Sequence, residues 1–409
     1  MESQNLREML ADAKDTSELM VDLAYAALFF DDADMADEVE ALEAEISELV
    51  HKMRTVAIIA VRNPREAEAM SAVLQVISSV ESIGNDAVII ARIVTRRLGI
   101  PRHLIVDLMA AEEVSHRVEV AEASDFANTA LSEFELPVQT GMRVMALRRD
   151  RKWVVDPDGD EILNPGDVLF LRGSPEGIPK LRELAGAHPW SPPQNTDNHE
   201  LTDLDRAVDT VIEMKNLSEV AVGLAYSSLV FKDRSLASEV LQLEDRLDEM
   251  KERLELWVLR CAGEDIEPSG LRGLLHLAGA AEDLGNQAKQ MVWLIENSEE
   301  LHEVLEMALG DTDDVVVRMP VAENSGVANV TLADLEIKTE TGFHVLAIER
   351  NGRYIYQPRS TVTLMSGDRV LANGPEEGRE VLAQMFGWIF EIDDEGETQL
   401  KALEHITIE

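Results

Sequence analysis

Slid against itself by 201 residues, the chain falls into register and stays there. Val21-Asp22-Leu23-Ala24-Tyr25 meets Val222-Gly223-Leu224-Ala225-Tyr226, and Glu81-Ser82-Ile83-Gly84-Asn85 meets Glu282-Asp283-Leu284-Gly285-Asn286. The same offset pairs Ala127-Asn128 with Ala328-Asn329, Thr140-Gly141 with Thr341-Gly342, and Gly166-Asp167 with Gly367-Asp368. Solenoid repeats run to roughly 45 residues, so this unit is instead a duplicated multidomain piece, each copy large enough to hold its own cores. Whatever fold one copy has, the other has too.

Periodicity divides each copy in two. From Leu6 to Leu98 the apolar residues recur at three and four, which is a helical pattern. It predicts one helix from about Thr16 to Phe30, with caps for the next in Asp31-Asp32-Ala33-Asp34. The second runs to about Val61; Asn63-Pro64 breaks it and starts a third that ends at Gly99, before Pro101. Three long helices with short connections make an up-down-up bundle, repeated from about Leu204 to Glu296.

After residue 113 the period changes to two, in Val114-x-His116-x-Val118-x-Val120 and in Val315, Val317, Met319 and Val321. Met142–Leu147 and Lys152–Val155 read as a hairpin, Val168–Leu171 as a further strand after Gly166-Asp167, and Pro175–Leu184 as a helix. The expected class is therefore multidomain α+β: a tandem duplication of a three-helix bundle plus a small α+β domain. The boundaries are a bundle at 1–100, an α+β domain at 101–187, a Pro- and Asn-rich linker at 188–200, a second bundle at 201–301, a second α+β domain at 302–390 and an acidic tail at 391–409.

Composition excludes several activities. The chain carries 79 Asp+Glu against 37 Lys+Arg, a net charge of −42. A phosphate-backbone binder neutralises phosphates with cations, so nucleic acid is excluded as a partner. Such self-repulsion destabilises a compact state unless salt screens it. The surplus of carboxylate with scarce lysine resembles the cytosolic proteome of salt-in halophilic archaea, and predicts a fold lost in dilute buffer and kept in molar KCl. The single Cys261 excludes an internal disulfide, and apolar runs such as Val56–Val61 are far below the ~20 residues of a membrane span. These features predict a cytoplasmic protein. No nucleophile, base or cofactor motif is present: no G-x-G-x-x-G, Walker loop, H-E-x-x-H or G-x-S-x-G. The expectation is a protein that is not an enzyme.

Ala127-Asn128-Thr129-Ala130-Leu131, Thr140-Gly141-Met142 and Gly166-Asp167 through Gly173, repeated as Ala328–Leu332, Thr341-Gly342-Phe343 and Gly367-Asp368 to Gly374, resemble the TrkA-C (RCK-C) regulatory domain of potassium-uptake proteins. The helical unit resembles a PhoU-type bundle through Ala36-Asp37-Glu38-Val39, Glu43 and the Glu81–Ala87 run. The combination, twice, is similar to an archaeal family carrying those two domains. The TrkA-C resemblance implies a regulatory protein for a membrane cation channel or transporter, potassium in the first place. It also implies a homodimer or an equivalent pairing of the two copies within one chain, and a groove at their interface for a small anionic ligand such as cyclic di-AMP. Carried over residue by residue, that groove takes Phe126, Ala127, Asn128 and Arg143, with Val327, Ala328, Asn329 and His344 in the second copy.

For Asn128 and Asn329 the residues themselves suggest helix N-caps, at a terminus whose amides could also receive a phosphodiester. The PhoU resemblance implies a metal at Glu81 and Asn85 and at Glu282 and Asn286, each pair one turn apart on a shared face. The family has Asp where Asn85 and Asn286 stand, and a neutral amide is the poorer ligand. The alternatives are that Gly84 and Gly285 let helices approach closely while the Asn satisfies a buried partner, and that Glu38, Glu43, Glu239 and Glu244 are solvated. The alternative function is a PhoU-like adaptor in phosphate transport or signalling.

Overall fold

The computed structural model describes residues 5–101, 104, 114–150, 152–190, 202–261, 268–297, 302–309, 312, 314–322, 325–356, 358–392 and 398–403. Most of the linker at 188–200 and of the 101–113 stretch lies outside them, as does the end of the chain beyond 403. Two compact units emerge, each built from both copies: residues 1–115 with 191–312, and 116–190 with 313–409.

The first unit is helical. Copy one supplies α1 (Leu6–Phe30), α2 (Ala33–Ala60) and α3 (Pro64–Thr95). The buried residues of α2, Met35, Val39, Leu42, Ile46, Val50, Met53 and Ala57, are spaced by threes and fours and lie on one stripe. Asp32 caps α2 by accepting from the Met35 amide at 3.2 Å, and Asn63 Oδ1 accepts from the Glu66 amide at the start of α3. The first helix starts ten residues before Thr16, because Asn5 and Glu8 form a reciprocal capping box ahead of it.

The bundle is repeated after the α+β segment of copy one, whose elements are β1 (Val114–Glu119), β2 (Thr129–Ala130), α4 (Leu136–Thr140), β3 (Met142–Arg149), β4 (Lys152–Val155), β5 (Ile162–Leu163), β6 (Val168–Gly173) and α5 (Ile178–Leu184). Copy two then supplies α6 (Asp203–Phe231), α7 (Arg234–Cys261), α8 (Pro268–Asn297) and the short α9 (Glu303–Leu309). Helix α3 packs on α8, and Gln75 Nε2 donates to Gln290 Oε1 at 2.9 Å. A Cβ on Gly273 would meet Gly99 at the other end, so α3 and α8 run antiparallel. Among the described residues, Glu66–Thr95 is long and apolar enough to cross a membrane by length and composition, but 61% of that window is buried inside the protein.

The second unit holds two four-stranded sheets. In copy two the order is β7 (Asp314–Pro320), β10 (Arg369–Pro375), β8 (His344–Arg350), β9 (Arg353–Tyr356), and in copy one it is β1, β6, β3, β4. The same bulge recurs at Met145 and Leu346, each skipped in the register with the neighbouring strand. Helices α10 (Leu332–Leu335), α11 (Ile337–Thr341) and α12 (Arg379–Met385) complete copy two. The segment read as an acidic tail from 391 begins instead as a hairpin, β11 (Trp388–Ile392) with β12 (Thr398–Ala402). Its apolar residues explain the difference: Trp388, Phe390 and Leu400 pack on the second-copy core, and Trp388 Nε1 donates to Pro320 O at 2.6 Å.

The Gly-Asp of each copy is structural. Asp167, 1% exposed, accepts Arg149 Nε at 2.9 Å and Nη2 at 2.7 Å, together with the Asn164 amide at 2.8 Å. Asp368 does the same with Arg350 and the Met365 amide. A buried two-pronged pair whose remaining oxygen lone pairs are filled by backbone is the arrangement in which such a charge is stable.

Candidate functional site

Within the α+β unit the two copies meet along a seam. Helix α4 lies against α11, and each ends on a glycine in the left-handed region, Gly141 at φ 63° and Gly342 at φ 76°. A Cβ on Gly141 would stand 2.8 Å from Lys338 O and 2.9 Å from Thr339 Cα, both in the other copy. One on Gly342 would stand 2.9 Å from Pro375 Cγ and 3.3 Å from Pro137 O of the first. Glycine is required there twice over, by conformation and by the neighbour's backbone. Beside it Thr140 Oγ1 donates to Leu136 O and accepts from the Met142 amide, and Thr341 repeats the arrangement. Across the seam Ser174 Oγ lies 3.3 Å from Thr339 Oγ1, and Arg143 Nη1 lies 3.5 Å from Asp314 Oδ1.

The eight residues expected to line a groove fall into different environments. Arg143 does reach the other copy, but its charge is engaged by Asp314 and by Asp156 at 3.1 Å. Phe126 and Val327 are 0% and 2% exposed core residues, Phe126 with its ring edge-on to Phe134. Ala127 and Ala328 are half-buried, and Ala328 packs on the second-copy core. Asn128 and Asn329 are exposed but cap nothing. They occupy the left-handed region at φ 61° and 66°, which Asn tolerates, and their amides donate to Leu163 O and Leu364 O. The cap two residues on is Thr331, accepting from the Asp334 amide, where copy one has Ala130. The turns that follow are four residues long, too short to carry a useful dipole. His344 is half-buried opposite Asn373. Asp314 escaped the sequence reading, although the repeat signals it, since copy one carries Glu113 at the matching position.

In the helical unit Glu81 Oε2 accepts Arg54 Nη2 at 2.8 Å, and Glu282 Oε2 accepts Lys251 Nζ at 2.7 Å while its Oε1 takes Asn286 Nδ2 at 3.0 Å. Burial pushes the Glu282 carboxyl up, but Lys251 and its other hydrogen-bond donors outweigh it and hold the group below the usual range. Asn85 is exposed, and a Cβ on Gly84 would make only ordinary contacts at 3.4 Å or more, whereas one on Gly285 would stand 2.5 Å from Leu247 Cδ1 of α7, the close helix approach expected there. Glu244, expected in solvent, is 2% exposed and paired with Lys289 at 2.7 Å. Each carboxylate proposed as a ligand already has a cation, and among the described residues no group of three or more His, Cys, Asp or Glu is placed to hold a metal.

The copies also meet in a reciprocal exchange. Lys14 of copy one sits 5.4 Å from the Tyr226 ring centroid of copy two, and Lys215 sits 5.0 Å from that of Tyr25. Both lysines are buried and each binds a glutamate one turn on, Glu18 and Glu219, at 2.8 Å. One group breaks the symmetry. Asp86 on α3 is 6% exposed with Oδ2 lacking a hydrogen-bond partner, where copy two has Gln287. Burial, then Asp283 and Glu282, push its carboxyl up to about 8.

The comparisons with known proteins divide along the same lines as the geometry. The PhoU domain family matches residues 10–94 and 211–294, and the TrkA-C domain family matches 116–186 and 316–387. The chain is a tandem of PhoU and TrkA-C domains. No curated protein matches it. Solved structures similar to it include "GsuK channel bound to NAD" (16% identity, 67% of this chain and 53% of that one, TM-score 0.18) and "Crystal Structure of the GsuK RCK domain" (16%, 71% and 69%, 0.18). The chain thus spans about half the length of the first of these. At TM-scores this low the likeness says nothing of function. The two PhoU domains form one unit, packed chiefly α3 on α8 with the Lys–Tyr exchange beside it, and the two TrkA-C domains form the other through the glycine seam.

Proposed function

We propose that this PhoU–TrkA-C tandem is a cytoplasmic, ligand-sensing regulator of a membrane cation channel or transporter, with potassium as the ion and no catalytic turnover of its own. The observation that carries the reading is the pairing of two TrkA-C domains within one polypeptide, with Arg143 of one held by Asp314 of the other. A small anion such as cyclic di-AMP that drew Arg143 from Asp314 would favour one arrangement of the seam over another. That differential contact is what any population shift needs. The competing reading, an adaptor in phosphate transport working through PhoU metal clusters, is disfavoured because Arg54 and Lys251 neutralise the acids such clusters would use.

Calorimetric titration of the full chain in molar KCl with cyclic di-AMP, against ATP, AMP and NAD as controls, tests it. The expected result is micromolar or tighter binding of cyclic di-AMP, weakened at least tenfold (about 1.4 kcal/mol) in Arg143→Ala. Full-strength binding by that variant would move the ligand off the seam. No heat from any of the four nucleotides would end the sensor reading for this ligand class.

A further inference from the structure

The turn between α2 and α3 combines a basic, acid-free stretch with bare aliphatic side chains. Acidic residues number 79 in 409, about one in five, yet the seventeen residues from Leu49 to Arg65 contain none. Lys52, Arg54, Arg62 and Arg65 all fall in that stretch. So do three bare aliphatic side chains: Val56 is 39% exposed, Ile58 66% and Ile59 76%. The matching end of α7 also exposes aliphatics, Leu256 and Leu259, but with Glu252 and Glu255 immediately before them. Because α3 and α8 are antiparallel, their N-termini lie at opposite ends of the helical unit.

We infer that the α2–α3 turn is a docking tip for an anionic lipid surface. On their own, three exposed aliphatic side chains fall well short of the roughly 800 Å² per partner that a stable protein interface buries. A narrow helical hairpin end with two adjacent isoleucines and flanking cations instead matches a membrane interface, where aliphatic groups reach the acyl boundary and Arg meets headgroups. Lys52 pairs with Glu48 and Arg54 with Glu81, so the exposed Arg62 in the turn itself is the first headgroup contact. Charge complementarity also favours this end at contact. In a chain of net charge −42, an acid-free basic patch meets anionic headgroups with least repulsion. The inference does not depend on the ligand reading above.

Flotation of the full chain with phosphatidylglycerol/phosphatidylcholine vesicles, against pure phosphatidylcholine, tests it at the lowest KCl that keeps the native circular-dichroism spectrum. Binding is expected to the anionic vesicles only. It should fall at least tenfold in the double variant Ile58→Ser/Ile59→Ser and in Arg62→Glu, and persist in Leu256→Ser/Leu259→Ser. All the substituted side chains are exposed, and unchanged melting curves verify that the variants fold. Absence of flotation, or full flotation by Ile58→Ser/Ile59→Ser, overturns the inference. So does a change in the sedimentation mass of the free chain in that variant without a change in flotation, which would make the tip a contact between copies.

Discussion

Asp86→Gln is expected to stabilise the protein, increasingly so as the pH rises. The folded carboxyl titrates near 8 against an ordinary value of 3.8, because it is buried and faces Asp283 and Glu282. Between those values the folded state holds a proton that the unfolded chain releases, so this group's contribution falls as pH rises from about 4 to 8 and is level beyond. Glutamine, already present at the matching Gln287, removes the titration. The groups around Asp86 offer it no cation: α1 brings Tyr25, whose hydroxyl is itself pushed up by burial, Glu219 and Asp86, while Lys251 of α7 is bound to Glu282. The gain over wild type should be near zero below pH 4 and on the order of a few kcal/mol at pH 8 and above, a rise in Tm of roughly 5–10 °C. Melting curves of both proteins from pH 5 to 9 in molar KCl measure it; a difference that does not vary with pH would contradict the assignment.

Gly141→Ala should cost about 2–4 kcal/mol, combining a left-handed backbone at φ 63° with a Cβ driven against Lys338 O and Thr339 Cα. Gly342→Ala meets Pro375 and Pro137 O at 2.9 and 3.3 Å and should cost slightly less, since a proline ring edge yields more readily than a carbonyl. The loss should be confined to the α+β unit. Hydrogen exchange should show lost protection in β3 and β8 while amides of α3 and α8 remain protected. Equal loss of protection in the helices would mean that the glycines do not act at the seam.

Much of this architecture is legible in the sequence because it is written twice. The α2 stripe, the Asp32 cap, the Asn63-Pro64 break and the alternation at Val315, Val317 and Met319 are local patterns, and each appears in the structure. Long-range pairing is what the sequence hides. Glu244 reads as a solvated helix face until Lys289, 45 residues away, is placed beside it. Lys14 and Tyr226 are ordinary residues on two helices until the copies are apposed. Asn128 invites reading as a cap, since Asn favours both caps and left-handed turns, and its φ of 61° decides between them. Of the expected ligand residues, Arg143 lies at the seam, yet the acid that holds it comes from the other copy.

The two TrkA-C domains pair within one chain. Ser174 Oγ and Thr339 Oγ1 face each other 3.3 Å apart across the seam, so cysteines at these positions would report the pairing by cross-linking. In a Cys261→Ala background, which removes the native thiol, the full chain carrying Ser174→Cys and Thr339→Cys should be oxidised and its mass measured over a range of concentrations. A disulfide within a single chain, complete and independent of concentration, is expected. Cross-linked dimers alone, increasing with concentration, would contradict it and assign the pairing to two chains.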